Sequence, residues 1–278
     1  MAEIVAAVGV PHTPSLPAEV ARDGPSHATA QPFAEVSRQL AEVQPEVLII
    51  FDSDHLNTFF LDNLPLLSVG VAERTSGPND GTPAMPRYVV PVHEGLAEFV
   101  RAHGIACGFD LAVTQEFEVD HSILVPLHFL TPRMQVPIVP MFIGGIVPPL
   151  PLARRCFALG QMVREALAAW PEPTRVAILA SGSISLDIGG PLAPHGQMAG
   201  VADTAWVEEV LGYLRRAAFD DLLNAATADR LARAGNIGGE LLNWIALLGA
   251  LGSRRPVFLE SRMAHGDGFG VWRWDLPA

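Results

Sequence analysis

The chain has 278 residues and a formal net charge of −12, with 49% hydrophobic and 17% charged residues and a mean hydropathy of +0.28. So acidic a balance, without any basic footprint, argues against nucleic-acid binding, and the lack of an unbroken apolar run of about 18 residues argues against a membrane span. The apolar excess implies a large core together with surface buried in a homo-oligomer. Only two cysteines occur, Cys107 and Cys156, far apart and without metal-ribbon spacing, and the first residues carry no basic leader. A cytoplasmic protein is the expectation.

Ile4 to Val10 reads as an apolar strand stopped by Pro11-His12-Thr13-Pro14. Phe33, Val36, Leu40 and Val43 have helical spacing and predict a helix over 32–43, followed by a buried strand over 46–51. Residues 61–90 carry Pro65, Gly70, Gly77, Pro78, Gly81, Pro83 and Pro86 and read as a long irregular excursion. A helix over 91–103, a strand over 110–113, a helix over 121–130, a strand over 137–143 and a helix over 152–170 come next. A strand over 175–180 leads into a Gly/Pro-rich loop over 181–200. Two or three helices fill 202–251, and strands near 257–259 and 270–274 close the chain, with GDGFG at 266–270 read as a turn before the last of them. Such alternation indicates an α/β fold whose sheet is covered on both faces. No repeat or low-complexity linker divides residues 1–278, so one domain is expected.

Chemistry in open α/β sheets gathers at the carboxyl ends of strands. His12 follows the first strand directly, and His55 lies just past the second in FDSDH. Imidazole is the commonest transition-metal ligand, so these two residues either converge on one ion or are ordinary loop histidines. Glu240, in the stretch Gly238-Gly239-Glu240-Leu241-Leu242-Asn243-Trp244, enters an apolar helix after a glycine turn. Alone it would suit the helix dipole; with two histidines it makes the two-His, one-carboxylate set that suits Fe(II) and leaves one side of the metal open.

GVPHTP, FDSDH and GGELLNW, together with DHSILVPLHFL at 120–130 and PIVPMFIG at 137–144, resemble the motifs of the class III extradiol ring-cleavage dioxygenases of the LigB type, catalytic subunit, in the same order along nearly the whole chain. The resemblance implies a central mixed sheet flanked by helices and an Fe(II) held by His12, His55 and Glu240. It also implies a small aromatic substrate, catechol-, protocatechuate- or hydroxypyridone-like, opened beside its hydroxyls by insertion of both atoms of O2. A small companion subunit closes the active site in some relatives. A phenolic proton must leave and later be returned, and His121, at the DH position, is the first candidate for that work. His128, one heptad later, reads as core.

One position departs from the pattern. Many relatives carry an acid/base histidine in a Ser-Gly-Gly-Leu-Ser-His-like stretch, where this chain reads Ser181-Gly182-Ser183-Ile184-Ser185-Leu186-Asp187. Leucine transfers no proton. Either Asp187 or His195 substitutes, or His121 acts alone, or the substrate is acidic enough to need less help. Ser183 and Ser185 are plausible substrate contacts, and His27 and His265 receive no role. The competing readings are a non-redox Memo-like binding protein, favoured by Leu186, and a zinc hydrolase using the same three ligands.

Overall fold

The computed structural model describes residues 1–190 and 200–275. Its centre is set by strands that are apolar along their length rather than in alternation. β1 (Ala2–Val10) is buried from Val5 onward, and β2 (Val47–Asp52), β7 (Ile138–Ile143) and β8 (Thr174–Ser181) are almost wholly buried. Continuous burial is what parallel strands between two helical layers require. These four lie side by side in the order β7-β2-β8-β1, all parallel.

The sheet extends at both edges. β3 (Leu67–Gly70) runs antiparallel to β7 and parallel to β6 (Ala112–Thr114), while β10 (Asp267–Arg273) pairs antiparallel with β1 and with β9 (Phe258–Arg262). The result is a mixed eight-stranded sheet in the order β6-β3-β7-β2-β8-β1-β10-β9. β4 (Arg74–Gly77) and β5 (Tyr88–Pro91) form a separate two-stranded pair.

Alternate side chains of the central strands feed two cores. Ala7, Ile49, Phe51 and Ile178 meet α3 (Glu94–Ala106), α5 (Ala153–Ala169), α6 (Thr204–Arg216) and α9 (Leu241–Leu251), whereas Val8, Leu48, Ile50 and Leu179 meet α2 (Ala30–Glu42) and α4 (His121–Leu130). Shorter helices, α1 (Leu16–Asp23), α7 (Phe219–Ala225) and α8 (Ala228–Arg233), complete the described elements. No described helix is long and apolar enough to cross a membrane. Both cysteines are free.

Three sequence expectations need correction. Residues 61–90 are not irregular throughout: their glycines and prolines separate three short strands, and β3 joins the main sheet. The Leu16–Asp23 helix was not anticipated, because it is short and begins with proline at its first turn. Finally, 266–270 is mostly strand, with the turn confined to its first residue. Its glycines make room for indole rings: a Cβ on Gly270 would come within 2.8 Å of the Trp272 ring, and one on its cross-strand partner Gly9 within 2.4 Å of Trp244.

α9 is buried at every position and crosses α5 at backbone contact. A Cβ on Gly160 of α5 would sit 1.8 Å from the Ala246 carbonyl oxygen, and one on Gly249 of α9 2.0 Å from that of Phe157. Replacing glycine by alanine inside a helix ordinarily stabilises by about 0.5–1 kcal/mol. Here the sign reverses: Gly160→Ala and Gly249→Ala are each expected to destabilise by about 1–3 kcal/mol, read as a lowered urea midpoint.

Candidate metal centre

Because β1, β2 and β8 are parallel neighbours, their carboxyl ends share one edge of the sheet. His12 leaves β1, His55 leaves β2, and Ser181 ends β8. Glu240 arrives from elsewhere, on the 3-10 turn Gly238–Glu240 that opens α9. That turn is stitched to the exit of β8: Asn243 Nδ2 donates to the Ser181 carbonyl at 2.7 Å and the Trp244 indole N–H to the Gly182 carbonyl at 2.9 Å. Gly182 adopts φ +148°, and a Cβ there would press on the Glu240 side chain, so a glycine is required for this approach.

The four elements bring His12, His55 and Glu240 together. Glu240 Oε1 lies 2.9 Å from His12 Nε2 and 3.2 Å from His55 Nε2, while the Ser183 amide donates to Oε2 at 2.6 Å. Each imidazole is held by its other nitrogen. His12 Nδ1 lies 2.8 Å from Ser181 Oγ; His55 Nδ1 lies 3.3 Å from Asp120 Oδ2, at ion-pair distance but off the angle of a hydrogen bond. Asp120 is itself anchored by the His55 amide, by Asn57 Nδ2 and by the Ser122 amide. Asp54 accepts the Thr58 and Phe59 amides at 2.8 and 2.9 Å, which curls the loop that carries His55.

His121 joins the cluster. Its ring centroid is 5.3 Å from that of His12 and 4.4 Å from that of His55, and one nitrogen from each of the three lies within 4.8 Å of the others. Its Nδ1 is bonded to Asp80 Oδ2, which leaves Nε2 as the nitrogen able to exchange a proton. Thr82 Oγ1 donates to the other Asp80 oxygen at 2.6 Å.

Buried charge organises the site. Burial is the largest influence on His12 and lowers its imidazole below the ordinary value despite Glu240. Burial pulls His55 the same way, yet Asp120 and Glu240 more than offset it and hold that imidazole well above its usual value. Burial would raise Glu240, but His12 and His55 hold the carboxylate well below the usual range. Asp120 behaves likewise through His55 and His121. Asp52 does the opposite: burial first, then the charge of Asp120, pushes its carboxyl up, and neither oxygen has a hydrogen-bond partner among the described residues.

The donor set fits a first-row divalent metal. Bonds of about 2.1 Å at right angles separate neighbouring ligand atoms by about 3 Å, which matches the two carboxylate–imidazole separations. The partner on each second histidine nitrogen is the arrangement that fixes tautomer and ring orientation in metal sites.

The remaining candidates lie apart or elsewhere. Asp187 is 1% exposed, its carboxylate packs against Gly190, and among the described residues it has no hydrogen-bond partner and makes no bond to a histidine. His195 lies outside the described residues. Ser183 serves through its backbone amide, and Ser185 Oγ donates to the Ala234 carbonyl at 2.6 Å as a loop brace. Half-buried His128 pairs with the Tyr88 hydroxyl. Leu186 faces a cavity of about 480 Å³ together with Thr13, His27, His265 and Asp267. Asp80 and Asp267 escaped sequence reading because both adjoin glycine in stretches that read as turns, where an acidic residue is commonplace.

The family model described as "Catalytic LigB subunit of aromatic ring-opening dioxygenase" matches residues 6–270, and the chain belongs to that family. A 2,3-dihydroxyphenylpropionate/2,3-dihydroxicinnamic acid 1,2-dioxygenase of Klebsiella pneumoniae is 38% identical over 155 residues, covering 55% of this chain and 47% of the relative. Gallate dioxygenase of Pseudomonas putida is 30% identical over 171 residues, 60% of this chain and 48% of the relative. The chain thus spans about half the length of these curated relatives. An uncharacterized Escherichia coli protein of known structure superposes with a TM-score of 0.59 at 14% identity, covering 96% of this chain and 98% of that one, a likeness of fold.

The Asp80–His121 pair makes a pH prediction. Burial alone would raise the Asp80 carboxyl, but hydrogen bonds from His121 and Thr82 prevail and lower it from 3.8 to about 2. A depressed carboxyl contributes stability that is present above the unfolded value and lost as pH falls through the folded one. Wild type is therefore expected to lose about 1–2 kcal/mol between pH 4 and 2 that Asp80→Asn does not lose, measured by urea unfolding across that window.

Proposed function

We propose that this chain is a non-haem Fe(II)-dependent extradiol dioxygenase that opens the ring of a small hydroxylated aromatic or heteroaromatic by inserting both atoms of O2. The observation that carries the reading is the single Glu240 oxygen lying about 3 Å from both Nε2 atoms of His12 and His55, with each ring anchored from behind. Relatives named for a dihydroxyphenyl acid and for gallate support a substrate with adjacent ring hydroxyls.

His12, His55 and Glu240 would hold the metal. An Fe(II) held there would supply the redox chemistry that lets O2 react with an electron-rich ring. His121 takes the phenolic proton on Nε2 while Asp80 holds Nδ1, orienting the ring and balancing the charge it acquires. It then returns that proton to an oxygen of the opening ring. Leu186 offers no proton on the cavity wall, and the buried Asp187 carboxylate has no bond to the cluster, so both leave His121 as the shuttle. The exposed apolar residues Phe60, Leu61 and Leu66, just past His55, support a reading in which subunits associate over this edge.

Purified without added metal and then loaded with Fe(II) under argon, the wild type is expected to hold one iron per subunit and to consume O2 with a catecholic substrate. His12→Ala, His55→Ala and Glu240→Ala are expected to lose that iron, assayed by elemental analysis. His121→Ala is expected to keep the iron while kcat falls by about 10²–10⁴. Ring opening by any of the three ligand variants at wild-type iron content would sink the assignment. Zinc in place of iron, with no oxygen uptake after iron loading, would favour the hydrolase reading.

A further inference from the structure

The cavity of about 480 Å³ is lined by Thr13, which follows His12 in the chain, by Leu186 and by Asp267. Its ionisable lining is Glu19, His27, His265 and Asp267; no arginine lines it among the described residues. The chain contains no lysine at all. His27 Nε2 lies 3.3 Å from Glu19 Oε2, so any positive charge there already has its counter-ion. His265 is exposed at the rim.

Asp267 is the telling residue. It lines the cavity although it is only 2% exposed, and among the described residues its buried Oδ1 has no hydrogen-bond partner. Arg262 stands opposite it across β9–β10 but makes no ion pair with it and does not line the cavity. A buried polar atom left unpaired is costly, and a hydrogen-bond donor brought in from outside relieves that cost. A carboxylate brought into the same space would be desolvated with no arginine or lysine among the described lining residues to receive it.

We propose that this cavity receives the ring substituent of the substrate and selects one that is uncharged or cationic and donates a hydrogen bond to the Asp267 carboxyl group, against substituents ending in a carboxylate. The inference rests on the dioxygenase reading and narrows its substrate class: catechols with an amino- or hydroxyl-bearing side chain, rather than aromatic acids.

The test compares catechols bearing an ethyl, aminoethyl or carboxyethyl chain at ring position 3 or 4. Oxygen uptake gives kcat/KM for the Fe(II)-loaded enzyme, and calorimetry under argon gives Kd for the loaded and the metal-free protein. The carboxyethyl compounds are expected to fall at least about tenfold below the other two in both measures. Asp267→Asn is expected to lower the aminoethyl-to-ethyl ratio, and Ala264→Arg, a cation added at the exposed rim, to raise the carboxyethyl compounds selectively. Equal or better use of carboxyethyl catechols by wild type overturns the proposal, as do unchanged ratios in both variants. Oxygen uptake with none of the six compounds overturns the ring-cleavage reading, and this inference falls with it.

Discussion

One buried carboxylate shared between two imidazoles is the contact on which the rest of the site depends. Glu240 is 1% exposed, and an ionised group so deep in protein is tolerable only if it is fully paired. Here it faces His12 and His55 through one oxygen and a backbone amide through the other. Removing any partner leaves charge without compensation. The geometry is therefore held by electrostatic necessity as well as by packing, and the packing in turn is the wholly apolar α9 that presents Glu240 at its start.

The supports behind that contact come from different parts of the chain. Ser181 ends a central strand, Asp120 caps α4 from its side chain to the Ser122 amide, and Asp80 belongs to the stretch between β4 and β5. Three rings are thereby aimed by three acceptors on separate elements, and a rigid sheet edge sets their spacing. A flexible loop could supply the same residue types without the precision that proton transfer and chelation demand.

Much of this was legible beforehand, for identifiable reasons. Strands such as Val47–Asp52 announce themselves because parallel central strands need apolar residues on both faces, and His12 and His55 stand out because they interrupt that pattern at the strand ends. Glu240 was readable from the glycine turn before an unusually apolar helix, with the family motifs to connect it to the histidines. Asp80 and Asp267 were not, since their importance arises from what the fold brings opposite them, and nothing in a glycine-flanked aspartate records that. β3 and β4 were hidden by length: four residues are too few for alternation to register. GDGFG misled because glycine marks both a turn and a place where a bulky neighbour lies close, and only the positions of Trp244 and Trp272 decide between them.

The sequence distance inside the cluster has a consequence for how the protein comes into being. His12 and Glu240 touch although 228 positions separate them. On the ribosome the first histidine emerges long before the carboxylate, and α9 must leave the tunnel and dock before the three side chains can meet. A metal captured earlier would find only imidazoles. An ion held by these three residues would thus be loaded after α9 has docked, rather than while the first strands are being made.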